Sequence, residues 1–165
     1  MQIHLDLHKN ATRSQILDTL LEAMSEEERT SFDYIMNHAV VPDKHHHSTV
    51  EVRESIDALT VPEQVKNDLH EVYEILAKAE AKVHGCKVEE THFHEVGNAN
   101  GIRNALAICA AFYVLAPQSV TATAIQPGEG EIECAHGVLS LPAPATAAII
   151  EGLPLAQTRL QGERV

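Results

Sequence analysis

Residues 60–85 read TVPEQVKNDLHEVYEILAKAEAKVHG, and this stretch sets the helical character of the fold. Its apolar side chains recur at steps of four and three residues, which is typical of one face of a long helix. They are Val65, Leu69, Val72, Leu76, Ala79 and Val83. Thr60 and Glu63 have the spacing of a capping box, and Gly85 is a suitable C-terminal stop. We expect this face to pack in the protein core, with an intermolecular coiled coil as the alternative.

Helical periodicity continues on both sides of this stretch. Toward the N-terminus it predicts a helix over 11–24, a second that Ser25 caps and that ends near His38, and a third that Ser48 caps. Toward the C-terminus it predicts a helix over 99–115. The first hundred residues are therefore predominantly helical.

Short alternating or β-branched runs predict strands at 2–6, 119–125 and 131–135. Pro142 and Pro144 then introduce one more apolar helix, which ends before Gly152. Strands separated by helices favour the α/β or α+β class. We predict a helix-rich single domain over 1–165 with a small sheet, and a histidine-rich loop at about 42–48.

Charge and composition exclude several classes of function. The formal net charge is −12 and no segment combines clustered Lys and Arg with aromatic residues, so we expect no nucleic-acid partner. No apolar run has the length of a membrane span, and the N-terminal residues do not resemble a signal peptide, so we expect a cytoplasmic protein. Three cysteines without a C-x-x-C pair fit reduced thiols better than a disulfide framework.

Eleven histidines in 165 residues point to metal binding. Imidazole is the commonest side-chain ligand of first-row transition metals, and acidic charge favours cations. His45, His46 and His47 form a tract ahead of a predicted helix N-terminus. We interpret the tract as a metal-capture loop; a solvated segment with incidental metal affinity is the alternative.

The segment H-F-H-E-V-G, residues 92–97, is a candidate metal or ligand site. In an extended chain His92 and His94 lie on one face about 6–7 Å apart, close enough to share a metal ion. Glu95 points the other way, and Gly97 allows a tight turn before the next helix. A structural histidine bonded to backbone is the other interpretation.

The segment C-A-H-G-V-L-S-L-P-A-P-A-T, residues 134–146, is a second candidate. His136 precedes Gly137, which permits close backbone approach, and the segment ends at Thr146 in a helix start whose N–H groups can receive an anion. The sequence predicts a phosphate or carboxylate pocket here. A rigid helix start without a ligand is the alternative.

Five motifs in order resemble the family of nickel-pincer cofactor nickel insertases known as LarC. They are the histidine tract 45–47, A-E-A-K-V-H-G at 79–85, H-F-H-E-V-G at 92–97, the glycine-framed segment 128–137 and P-A-P-A-T at 142–146. The resemblance covers about three-quarters of the chain. It implies a histidine-rich nickel cofactor biosynthesis protein that handles Ni²⁺ and a pyridinium bisthiocarboxylate mononucleotide precursor, with CTP and Mg²⁺ used by the complete family protein.

The resemblance also assigns roles to particular residues. His94, Glu95 and His136 are the implied catalytic group, and Gly97, Gly137 and Thr146 are the implied contacts to the nucleotide. The implied nickel ligands are His92, His94, His45, His46 and His47. If the chain is active, the reaction is nickel insertion, in the lyase class.

Three departures from the family pattern change these expectations. The glycine-rich opening loop of the family survives only as Asp6, Asn100 and Asn104 stand where the family has aspartates, and the sequence ends where the family continues into a further domain. We therefore expect a protein that is incomplete as an enzyme and that pairs with a C-terminal insertase domain on another chain or forms a homo-oligomer. A non-catalytic metal-binding or scaffold relative is the alternative function, and an independent His/Glu hydrolase is a third.

Overall fold

A computed structural model describes residues 1–8, 12–42, 48–93, 96–134, 137–157 and 159–164. Helices dominate and the strands form three small two-stranded sheets, which confirms the α+β alternative of the predicted class. The helices are α1 (Arg13–Glu22), α2 (Glu26–His38), α3 (Thr49–Asp57), α4 (Glu63–His84), α5 (Ala99–Leu115) and α6 (Pro144–Ile149). The strands are β1 (Gln2–Leu5), β2 (Ser119–Ala122), β3 (Gly128–Glu129), β4 (Glu131–Cys134), β5 (Gly137–Ser140) and β6 (Gly162–Glu163).

Side-chain caps mark the starts of α2, α3 and α5, and a glycine marks the end of α4. Two of the three predicted capping boxes, Ser25 with Glu28 and Ser48 with Glu51, are formed in full. Gly85 ends α4 at a φ of 64°, as a left-handed C-terminal stop requires. These contacts satisfy backbone groups that a helix end would otherwise leave unpaired.

The capping box predicted at Thr60 is wrong. Helix α4 begins at Glu63 with Pro62 in the N-cap position, and no side chain caps it. A proline disfavours helical geometry in the residue before it, so Val61 cannot serve as the first helical residue after a Thr60 cap. The helix therefore starts later than the sequence pattern suggests.

Two apolar clusters make up the core, and α5 belongs to both. We call the first the α4 core: Val41, Val52, Ile56, Leu59, Val65, Leu69, Tyr73, Ala77, Phe93, Ala99, Ile102, Leu106 and Cys109. We call the second the β1 core: Ile3, Leu5, Leu20, Phe32, Ile35, Ala107, Ala110, Ala111 and Leu115. The predicted seam of α4 packs largely inside the protein, as expected, with Val83 exposed at its end. None of the described helices combines the length and apolar character that crossing a bilayer requires.

The sheets join segments that are distant in sequence. Strand β1 pairs in parallel with β2, Gln2 opposite Ser119, so the polypeptide returns to its own beginning after five helices. The predicted strands at 2–6 and 119–125 are present as the shorter β1 and β2, and residues 131–134 of the predicted strand 131–135 form β4. Strands β3 and β6 were not predicted, because each has two residues and pairs with a distant partner, and β5, the second strand of a hairpin with β4, was missed as well.

We predict that Leu106→Ala lowers the free energy of unfolding by about 2–5 kcal/mol, because removal of a buried leucine side chain leaves a cavity. Leu106 is 1% exposed in the α4 core. Urea unfolding followed by circular dichroism measures the change. The matched control Leu153→Ala, at a residue that is 49% exposed, should change the free energy by less than about 0.5 kcal/mol. Equal effects of the two substitutions would contradict the assigned core.

We predict a loss of stability at alkaline pH that depends on Cys109. Burial, followed by the nearby Asp68 carboxylate, raises the pKa of the Cys109 thiol from 9.0 to about 12. The unfolded chain therefore releases this proton first, so stability is full below about pH 9 and falls as the pH rises toward 12. Urea unfolding at pH 7.5, 9 and 10 should show a shallower decline for Cys109→Ala than for the unsubstituted protein. Parallel declines would refute the role of Cys109.

Candidate functional site

The histidine tract leads directly into the first turn of α3. His45, His46 and His47 lie outside the described residues, and Ser48, which follows them, is the N-cap of α3. The Ser48 hydroxyl accepts the backbone N–H of Glu51 at 3.2 Å, and the Glu51 carboxylate accepts the backbone N–H of Ser48 at 3.1 Å. The point where the tract joins the fold is thus fixed by two reciprocal hydrogen bonds.

The second histidine-bearing segment lies beside this point. His92 forms an isolated antiparallel β-bridge with Ser48, and its side chain is exposed. The fold therefore places Ser48, the residue after the histidine tract, beside His92, which lies 44 positions later (92 − 48). The sequence analysis predicted nickel binding for both the tract and the segment that contains His92. His94 and Glu95 lie outside the described residues, so the predicted facing pair of His92 and His94 stays a prediction.

Buried aromatic side chains anchor the H-F-H-E-V-G segment on both sides of His94. Phe93 is 1% exposed and packs edge-on against Tyr73 of α4, with ring centroids 5.5 Å apart. The Tyr73 hydroxyl donates a hydrogen bond of 2.7 Å to the backbone oxygen of Val96. Burial raises the pKa of Tyr73 well above its ordinary value, so this hydroxyl keeps its proton. One tyrosine thus positions the residues before and after the histidine.

The start of α5 holds the same segment from the other side. Asn98 caps the helix by accepting the backbone N–H of Gly101 at 2.9 Å, and Gly97 before it is buried. At Gly101 the helix lies so close to Val96 that a β-carbon would stand 2.1 Å from the Val96 oxygen. Asn98, Gly101 and Tyr73 were missed as positioning residues. Asparagine three residues before glycine is a recognisable N-cap signal, whereas the tyrosine contact has no local signal.

The third candidate segment forms a β-hairpin. In the β4–β5 ladder Cys134 pairs with Gly137, on either side of Ala135 and His136, which lie outside the described residues. Gly137 has a φ of 91°, a conformation that favours glycine. No described atom lies within 4 Å of the place that a β-carbon would take at Gly137, so the predicted close backbone approach there stays a prediction.

The remaining predicted nucleotide contact is in the short helix α6. Thr146 is half-buried there, and Pro144 occupies the first turn as expected. Helix α6 packs against α4, and Lys82 forms an ion pair with Glu151 just after it. Gly97, Gly137 and Thr146 thus belong to three separate elements, and their convergence on one ligand pocket stays a prediction.

A cavity of about 270 Å³ opens between α3, α4 and the 3-10 turn Val88–Glu90. Its lining residues are Thr49, Val50, Val52, Arg53, Ile56, His70, Tyr73, Glu74, Ala77, Val88, Glu89 and Phe93. Thr49 follows the Ser48 cap, and Phe93 follows His92, so the cavity adjoins both histidine-bearing segments. The sequence did not reveal it, because its walls come from elements that periodicity assigned only to the core.

Metal binding by a preformed cluster is not visible in the part of the chain that the structure describes. Within those ranges no three His, Cys, Asp or Glu side chains are grouped so as to hold a metal ion. Six of the seven candidate histidines and carboxylates lie outside the described residues: His45, His46, His47, His94, His136 and Glu95. The predicted nickel ligands therefore stay predictions, apart from the exposed position of His92.

Asn100 and Asn104 lie on the first two turns of α5, and both side chains are exposed. Their spacing of four residues puts them on one face of the helix, as the sequence indicated. A neutral amide face therefore adjoins the turn at Gly97. Neither residue contributes to the packing of α5.

The fold defines this protein as a helix-rich α+β protein in which an exposed histidine, His92, lies beside the start of α3. The family model described as nickel insertion protein matches residues 3–165. The chain belongs to this nickel insertion family.

Three similar proteins carry the name pyridinium-3,5-bisthiocarboxylic acid mononucleotide nickel insertion protein. The one from Staphylococcus epidermidis is 40% identical over 128 residues, which are 78% of this chain and 32% of that protein. Those from Geobacillus kaustophilus and Desulfitobacterium hafniense are both 36% identical, covering 81% and 76% of this chain and 34% and 31% of their own lengths. The chain thus spans about a third of the length of these relatives. No solved structure matches it.

We predict that Gly101→Ala destabilises the protein by about 1–3 kcal/mol, as overpacking does. In an ordinary helix interior the same change would stabilise the protein by about 1 kcal/mol. A destabilising effect would therefore reveal the close contact with the Val96 oxygen. Chemical denaturation measures the difference. Asn104→Ala, on the exposed face of the same helix, serves as the control and should be close to neutral. A stabilising Gly101→Ala would contradict the close approach.

Proposed function

We propose that this chain is the nickel- and precursor-binding part of a nickel insertion system. It would bind Ni²⁺ as a substrate through imidazole and would present the metal to the pincer nucleotide, the molecule named in its relatives. The observation that carries the proposal is the β-bridge between Ser48 and His92, which supports a shared role for the two histidine-bearing segments. Membership of the nickel insertion family supports the choice of metal.

In this proposal the histidines have different roles. His45, His46 and His47 capture nickel, and His92 and His94 receive it next to the bound nucleotide. Glu95 holds a histidine in the tautomer that binds metal. His136 acts together with His94 and Glu95 as the catalytic group. Gly97, Gly137 and Thr146 contact the nucleotide. Imidazole and thiocarboxylate sulfur are both donors that suit Ni²⁺, so the metal ion can exchange from one set of donors to the other.

The complete reaction requires further parts. We propose that CTP and Mg²⁺ act with a C-terminal insertase domain, in the lyase class, and, separately, that the protein forms a homo-oligomer. Cys86 and Cys109 carry free thiols, which supports a reducing compartment such as the cytoplasm. A non-catalytic metal-binding or scaffold role is the second candidate. The exposed amides of Asn100 and Asn104 favour it, because Mg²⁺ prefers carboxylate oxygens.

We predict that the protein binds Ni²⁺ at micromolar concentration at pH 7.5 and more weakly at pH 5.5, because imidazole must be neutral to bind a metal. Isothermal titration calorimetry measures both affinities. Replacing His45, His46 and His47 by alanine should weaken binding, and His92→Ala should weaken the remainder. The matched control replaces His4, His8 and His38, which are exposed and lie in other elements, and should leave the affinity within about twofold.

Two outcomes of this titration would count against the proposal. Absence of nickel binding by the unsubstituted protein, or equal affinity at the two pH values, would reject nickel capture by histidine. If the tract variant loses all binding and His92→Ala changes nothing, the tract acts alone. The shared site of the two segments would then be rejected, while membership of the family stands.

A further inference from the structure

The cavity between α3, α4 and the 3-10 turn has an aromatic floor and a charged rim. Ile56, Tyr73 and Phe93 form the floor and are almost completely buried. Arg53, Glu74 and Glu89 stand at the rim with exposed side chains. An apolar floor that contains two aromatic rings suits a ring-shaped ligand, and rim charges of both signs suit a ligand that also carries both.

The rim charges differ in how far they are already paired within the protein. Arg53 takes part in none of the ion pairs formed among the described residues, so its guanidinium is open to an anionic group. Glu74 forms an ion pair of 2.6 Å with Lys78. Lys78 first, and then Arg53, lower the pKa of the Glu74 carboxyl, which therefore stays ionised at neutral pH. One cationic and two anionic side chains thus face the cavity mouth.

We propose that this cavity binds the pyridinium ring of the precursor nucleotide, an inference that rests on the proposed function. A pyridinium ring with carboxylate-type substituents is planar, carries a positive charge in the ring and carries negative charge on its edge. Glu89 offsets the ring charge, and Arg53 binds an anionic substituent through its planar donors. In this proposal, residues outside the histidine motifs recognise the ring.

The position of the cavity fits this assignment. Thr49 and Phe93 line it, and each directly follows one residue of the Ser48–His92 bridge. A ring in the cavity therefore lies beside both segments that carry nickel ligands in the proposed function. Tyr73 connects the two sites, since its ring lines the cavity while its hydroxyl holds the Val96 oxygen.

The size of the cavity limits what it encloses. Ligand pockets are typically about 300–1,000 Å³, and the volume here is about 270 Å³. That space holds a substituted ring and leaves the ribose and phosphate outside. The ring should consequently be the part of the nucleotide in closest contact with the protein.

The probe for the test is nicotinic acid mononucleotide, a pyridinium carboxylate nucleotide, added without nickel. Saturation-transfer NMR should show stronger saturation of the ring protons than of the ribose protons. Uridine monophosphate, which has an uncharged base, should show at least about tenfold weaker binding by calorimetry, because it lacks the charge-assisted contacts. Absence of probe binding at millimolar concentration, or equal binding of both nucleotides, would overturn the proposal.

Substitutions locate the bound probe. Val50→Trp places a large side chain at the cavity mouth from a position that is 58% exposed, and should weaken probe binding at least tenfold. The control Ile75→Trp adds the same side chain at an exposed position of α4 outside the lining, and should leave binding within about twofold. Arg53→Gln should weaken binding about tenfold through loss of a charged hydrogen bond. Thermal unfolding by circular dichroism verifies that each variant is folded.

The results separate this inference from the proposed function. If the unsubstituted protein binds nickel and the probe, but Val50→Trp and Ile75→Trp affect the probe equally, the cavity is the wrong location and the proposed function stands. If the protein binds the probe in the cavity but fails to bind nickel, the nickel function fails and the ring site stands. Failure of both titrations rejects both.

Discussion

The packing of α5 between two apolar cores is the constraint on which the rest of the structure depends. Its residues complete both apolar cores, so the helix must contact α1, α2 and α4 together. Ala107, Ala110 and Ala111 keep one side narrow enough for neighbouring helices to approach. A helix enclosed in this way has a fixed start, and that start, with Asn98 as its cap, holds the end of the H-F-H-E-V-G segment in place.

Sequence reasoning succeeded where structure follows from a few neighbouring residues. The serine capping boxes, the stop at Gly85 and the limits of α5 all depend on contacts within four or five positions. The family resemblance likewise follows from contiguous motifs, and the nickel insertion family model confirms it. The Thr60 box failed because a second local rule, the restriction imposed by Pro62, outweighed the first.

What the sequence could not supply depends on contacts between distant segments. Neither the Ser48–His92 bridge nor the hydrogen bond from Tyr73 to Val96 has a local signal, and together they define how the candidate site is held. The cavity depends even more on contacts between distant segments, because α3, α4 and the residues around Phe93 must assemble before it exists. Motifs therefore predicted candidate side chains, while packing between distant segments determined the surroundings of the described ones.

The parallel pairing of β1 with β2 has a consequence for the order of folding. Gln2 and Ser119 are 117 positions apart, and closing a loop of that length costs about 4 kcal/mol of chain entropy. Four backbone positions in each strand cannot offset this cost alone. Ile3 and Leu5 offset this entropy cost by packing in the β1 core, which requires the helices to be assembled already. We therefore expect the first residues of the chain to pair with β2 only after the helices have assembled.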